Sequence, residues 1–201
     1  MRLNEIFLSL QGEGLLSGMP SIFVRFSGCN LECPFCDTKY HTNGDEVSLN
    51  VVWDEMQKLA QKGAKHVVFT GGEPTVQLES LRALCTLSKG AGLHVTIETN
   101  GTMPLELPNV DLLSISPKRS LETVAALIEM NPDTEYQIKL LYPRSDLGDW
   151  TGFRIVMLMP ITNGMTDLDE KCVRTAQAAL EHGFRYCDRL HLRLWRGARG
   201  K

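Results

Sequence analysis

The sequence predicts an α/β protein: a mainly parallel sheet curled into an incomplete, TIM-like βα barrel. Three observations carry that expectation. Short β-branched runs alternate with helical patterns along the chain, as βα units do. Parallel crossovers are right-handed, which curls the sheet. The 201 residues also fall short of the ~250 that a closed eightfold barrel usually takes. Internal repeats, low-complexity tracts and long linkers are absent from the sequence, so 1–201 is expected to form one domain.

The elements follow in order. Residues 5–10 (EIFLSL) and 21–26 (SIFVRF) read as strands. Residues 48–63 read as a helix, with Ser48 as N-cap and Gly63 as the stop. A strand at 66–70 (HVVFT) runs into Gly71-Gly72, and a helix over 76–90 stops at Gly90. Strands follow from 94 (HVTIE) and over 110–116 (VDLLSIS). A helix begins at Ser120 and ends before Pro132. Residues 136–142 and 153–159 read as strands, and 166–183 as a long helix closed by Gly183. The alternation in 186–195 (YCDRLHLRLW) predicts a final strand, with Cys187 near its start.

Composition excludes several classes of function. With a net charge of −3 and 43% hydrophobic residues, the chain lacks the basic stripe of a nucleic-acid binder. The basic tail RLWRGARGK reads as a solvated terminus. No apolar run approaches the ~20 residues of a membrane span, and residues 1–20 show no charged stretch followed by an apolar one, so no signal peptide is expected. A cytoplasmic location is expected, where the six cysteines serve as metal ligands, catalytic thiols or packing residues. Cys85 and Cys172 fall on apolar faces of their helices and read as core.

In parallel βα sheets, chemistry gathers at the carboxyl ends of the strands. Four punctuated loops fall there: the cysteine segment SGCNLECPFCDT after 21–26, Gly71-Gly72-Glu73-Pro74 after 66–70, Thr99-Asn100-Gly101, and Ser116-Pro117-Lys118. Cys29, Cys33 and Cys36 lie within eight positions. Thiolates are soft ligands for zinc or iron–sulfur clusters. Three are too few for a closed tetrahedral site. Two donor sets remain open: a Cys3His zinc site completed by His41, or a cluster with one iron left free for a ligand.

CxxxCxxC beside GGEP resembles the radical S-adenosylmethionine (SAM) enzymes. That resemblance implies a radical SAM core, with a 4Fe–4S cluster on Cys29, Cys33 and Cys36 and SAM on its free iron. The GGEP loop would face the methionine amino group. Residues 9–14 (SLQGEG), with Arg25, Asp37 and Thr38, narrow the likeness to the 7-carboxy-7-deazaguanine synthases, from FLSLQGEG through VRFSGCNLECPFCDT, FTGGEP, IETNG and SISPK to the carboxyl end. A glycyl-radical activase, which also carries CxxxCxxC, would lack QGEG, Arg25 and Thr38.

The resemblance implies a Mg2+-dependent lyase that turns 6-carboxy-5,6,7,8-tetrahydropterin into 7-carboxy-7-deazaguanine and ammonia, for 7-deazapurine pathways such as queuosine. It implies a homodimer and an electron donor such as flavodoxin. By motif, Leu10, Gln11, Gly12 and Glu13 would hold the pterin, Arg25 its carboxylate, and Thr70 and Glu98 the same ligand; Thr38 would bind Mg2+. Phe35, Asp37, Gly72, Ser116, Pro117 and Lys118 would line the SAM site, together with Leu158, Met159, Pro160 and Ile161. Met159 stands where the family usually has glutamine, and the segment 142–153 is compressed.

Overall fold

The structure is a computed structural model and describes residues 1–34, 36, 38–143, 147–162 and 167–201. Its centre is a nine-stranded sheet in the order β3-β1-β2-β4-β5-β6-β7-β8-β9. β1 (Arg2–Leu10) pairs antiparallel with β2 (Pro20–Phe26) and with the two-residue β3 (Asp45–Glu46). From β2 onward every pairing is parallel, through β4 (His66–Gly71), β5 (His94–Thr99), β6 (Leu112–Ile115), β7 (Glu135–Tyr142), β8 (Val156–Pro160) and β9 (Arg185–Tyr186).

Side chains alternate across a strand, and the register assigns each face. Val24, Phe26, Val67, Phe69, Val95, Ile97, Leu113, Ile115, Ile138, Leu140, Val156 and Leu158 join one buried apolar core. Helices α1 (Leu49–Ala60), α2 (Leu78–Gly90), α3 (Leu121–Glu129) and α4 (Leu168–His182) contribute to that core through Val52, Met56, Leu81, Leu84, Val124, Leu127, Ala178 and Ala179. The opposite face carries Arg25, Thr70, Glu98, Ser114, Gln137 and Lys139. Ser48 caps α1 by accepting from the Val51 N–H, and Gly183 ends α4 in the left-handed region at φ 70°.

The sheet curls strongly. Six strands lie between β1 and β9, yet the segments that follow these two strands touch. The Leu190 N–H donates to the Gly12 carbonyl at 2.9 Å, and the Gly14 N–H points at the Cys187 sulfur. An antiparallel edge and a parallel body thus form an open barrel with a polar inner face.

One expected strand is absent. After the two residues of β9, the chain forms a short helix, α5 (Leu190–Trp195). The alternation of Leu190, Leu192 and Leu194 does not reflect burial, since none of the α5 residues is fully buried. The Leu190 amide is taken by Gly12 and the Arg189 side chain turns inward, which leads the chain across the barrel mouth. The basic tail is solvent-exposed, as expected, but it is tethered. Arg199 donates to Asn4 Oδ1 at 2.9 Å and lies 4.0 Å from the centroid of the Tyr40 ring.

Candidate active site

A cavity of about 370 Å³ opens at the carboxyl ends of the strands. The rim loops around it are tied together in sequence order. The Gly72 N–H donates to Phe26 O, and the Glu73 N–H donates to Gly28 O at 2.9 Å. Asn30, in the cysteine segment, donates to Thr102 Oγ1 and accepts from Asn100 Nδ2. The Ser116 N–H donates to Thr99 O, and the Lys118 N–H to Asn100 O.

The glycines of the β4 loop have a steric reason. Gly71 has φ +141°, which side chains rarely adopt, and a Cβ on Gly72 would collide with the Gly28 carbonyl oxygen. The third member of that loop does not line the cavity. Glu73 is fully buried. Its Oε1 accepts from Thr75 N, Thr75 Oγ1 and Thr99 Oγ1, and its Oε2 from Asn100 N at 2.7 Å. Burial pushes its pKa up, and these donors pull against that. The carboxylate is consumed inside the protein, where it staples the β4 loop to the β5 loop. The backbone of Gly71 and Gly72, which lines the cavity, is what remains available to a ligand.

Cys29, Cys33 and Cys36 are free, half-buried, and all line the cavity. Burial raises the Cys29 pKa, and Glu73, Cys33 and Cys36 add to the rise. The three line one cavity, although among the described residues they are not drawn together into a ready-made metal-binding group. Their softness suits iron–sulfur chemistry. Thr38 lines the cavity beside them as the residue before a 3-10 turn. Phe35 and Asp37 lie outside the described residues.

The opposite wall is polar. Gln11 Nε2 donates to Glu98 Oε1 at 3.2 Å, and Thr70 Oγ1 donates to Glu98 Oε2 at 2.9 Å. Lys139 Nζ lies 2.7 Å from Glu13 Oε2 and 3.6 Å from Glu98 Oε1. Arg189 Nε lies 3.3 Å from Glu13 Oε1. Burial opposes ionisation of Glu13, but Lys139, Arg189 and His191 outweigh it and hold the carboxyl well below the usual range. Arg25 donates from Nε to Glu5 Oε1 at 2.8 Å, with 16% of each side chain exposed.

Leu10, Gln11, Gly12, Glu13, Arg25, Thr70 and Glu98 therefore line one cavity with the three cysteines, Thr38, Gly72, Ser116, Lys118, Met159 and Ile161. Three expected residues are placed otherwise. Leu158 belongs to the apolar core behind the sheet, because strand alternation turns it away from Met159. Neither Pro160, buried at the end of β8, nor Pro117 is among the lining residues. Lys139, Arg189, Glu5 and Tyr40 line the cavity without having been expected there. The one sequence signal for Lys139 was a lone charge inside the apolar strand YQIKLLY.

Comparison with known proteins agrees with this geometry. A family model described as the radical SAM superfamily matches residues 23–192. A 7-carboxy-7-deazaguanine synthase of Halobacterium salinarum is 36% identical over 98% of this chain and 91% of its own length. The chain belongs to the 7-carboxy-7-deazaguanine synthase family. A member from Pyrobaculum aerophilum is 35% identical over the whole of this chain and 97% of its own. The crystal structure of QueE from Escherichia coli matches with a TM-score of 0.69 and 27% identity over 94% of both chains. Membership of the radical SAM superfamily implies a 4Fe–4S cluster and SAM, and the three cysteines that line the cavity are the soft donors such a cluster takes. No helix among the described residues is long and apolar enough to cross a membrane.

Proposed function

We propose that this chain converts 6-carboxy-5,6,7,8-tetrahydropterin to 7-carboxy-7-deazaguanine with release of ammonia, in the biosynthesis of 7-deazapurines such as queuosine. The observation that carries the reading is one cavity shared by two different walls. One presents three thiols, and the other presents Gln11, Glu13, Thr70 and Glu98. The near-full-length likeness to synthases of that name supports it.

Cys29, Cys33 and Cys36 would hold the cluster, and the Gly71–Gly72 backbone with Ser116 and Lys118 would flank SAM. The cluster and SAM, when bound there, would supply radical chemistry to the pterin. The protein's part is to orient and to shield. Arg25 is a guanidinium fork suited to the substrate carboxylate, and it exchanges Glu5 for that carboxylate on binding. Gln11, Thr70 and the two carboxylates Glu13 and Glu98 offer donors and acceptors to the pterin ring. The tail at Arg199, stacked on Tyr40, narrows the mouth against water. Thr38 offers a hard oxygen to Mg2+, which keeps mostly water and substrate oxygens. Its role would be that of a Lewis acid and template at the carboxylate.

The whole chain, 1–201, acts as one radical SAM domain, in a homodimer in the cytoplasm, and takes its electron from a flavodoxin-like donor. The test is turnover of the pterin by the reconstituted, reduced protein with and without Mg2+. A Thr38→Ala enzyme is expected to keep its iron and lose the stimulation by Mg2+. Unchanged stimulation in that variant would remove Thr38 from the role.

A further inference from the structure

We propose that Lys139 is the positioning residue of the pterin wall: its buried ammonium holds Glu13 and Glu98 as a fixed, ionised acceptor pair for the substrate's amino-pyrimidine edge. The proposal rests on the functional reading above and adds a residue that the motifs do not contain.

The geometry is specific. Lys139 lies on β7, its side chain only 3% exposed, and reaches the loop after β1 and strand β5 at once. A buried lysine is costly unless paired and hydrogen-bonded. Here two carboxylates answer it, 126 positions away in sequence for Glu13 and across two strands for Glu98. The remaining donors are distributed around the pair. Gln11 and Thr70 each donate to Glu98, and Arg189 donates to the outer oxygen of Glu13. A carboxylate oxygen accepts at two positions, so both groups keep acceptor capacity toward the cavity. The 2-amino group and ring N–H of a pterin form a donor edge that matches two ionised carboxylates.

Charge balance points the same way. Glu13 and Glu98 face Lys139 and Arg189, so the wall is neutral overall, and the substrate's own carboxylate is left to Arg25. Among the described residues, the groups that face Lys139 are Glu13 from the loop after β1, Glu98 from β5 and Cys187 after β9. Arg189 and His191 approach the same Glu13 from the turn into α5. Burial disfavours the ammonium, but Glu13 and Glu98 outweigh it and hold Lys139 above the ordinary lysine value. The Cys187 thiol is pushed up to about 11 by burial and stays neutral. Lys139 is therefore a permanent charge, not a proton carrier.

The test measures the affinity of 6-carboxypterin, a fluorescent analogue of the substrate, between pH 5 and 7, where its ring N–H stays protonated, for the parent and for Lys139→Met. The parent is expected to show no acid limb from Glu13. In Lys139→Met, Glu13 loses the largest of its cationic partners and its depressed pKa rises, so affinity falls about tenfold or more at neutral pH, improving as pH rises. Lys139→Arg, which keeps the charge, should restore the flat profile. If Lys139→Met does not fold, the charge-balanced Lys139→Met/Glu98→Gln pair replaces it, and weak binding is expected. Parent-like affinity in either variant, or a loss equal at every pH in Lys139→Met, would overturn the proposal. A parent that binds no pterin at all would overturn the functional reading itself.

Discussion

Replacing Glu73 by alanine should unfasten the rim of the active site. The side chain accepts four hydrogen bonds, two from backbone N–H groups of Thr75 and Asn100 and two from the hydroxyls of Thr75 and Thr99. The hydroxyls can rotate to other acceptors, but the two N–H groups cannot. Each buried orphan costs about 1–3 kcal/mol. With the void left by the side chain, the loss comes to about 4 kcal/mol. A chain of this size loses about 2–4 °C per kcal/mol, so the midpoint should drop by about 8–16 °C. Glu73→Gln is the sharper probe. Its amide oxygen can keep the three donors on Oε1, but its NH2 group then faces the Asn100 N–H donor to donor. About half the loss is expected. The assay is thermal unfolding by circular dichroism on the protein without its cluster, which separates stapling from cofactor binding. Midpoints within ~2 °C of the parent for Glu73→Ala would refute the stapling role.

Three further outcomes are expected. Gly72→Ala should lower the iron content after reconstitution, because its Cβ collides with the Gly28 carbonyl next to Cys29; full iron loading would show that the cysteine segment yields without consequence. Arg25→Ala should raise KM for the pterin about 10- to 100-fold, with Arg25→Lys between, since a charge-assisted contact to the carboxylate is lost; an unchanged KM would exclude that contact. His66, at the opposite end of the sheet, is bonded to Ser21 and Thr96 and packed edge-on to His94. Burial, then His94, depress its pKa from 6.5 to about 4, against the pull of Asp111. The unfolded chain takes up this proton first, so stability should fall by about 3 kcal/mol between pH 6.5 and 4. His66→Gln should flatten that part of the melting profile, and an unaltered profile would contradict the assignment.

Much of the site was legible because its parts are local. The three cysteines, the paired glycines and the asparagine–glycine turn each mark a strand end within a few residues, and alternating βα periodicity puts them on one rim. The unread parts are non-local or inverted. Lys139 in YQIKLLY looks like an outward residue of an ordinary strand, because charged positions usually face water. In this barrel the polar face is the inner one, and the partner that reveals it, Glu13, is 126 positions away. The sequence left open whether the backbone or the carboxylate of the GGEP loop meets a ligand, and only the β5 loop shows where the Glu73 carboxylate goes. In α5, apolar residues at every second position mimic a strand, but β9 ends at Tyr186 and the chain turns into a helix whose residues are not buried.

The most direct test of the account is the anaerobic reaction of the reduced, cluster-loaded protein with 6-carboxy-5,6,7,8-tetrahydropterin, SAM and Mg2+, with the product identified by mass. The expected result is 7-carboxy-7-deazaguanine and ammonia in equal amounts, neither formed when SAM is omitted. A cluster-loaded protein that cleaves SAM but yields no deazaguanine from this pterin would contradict it.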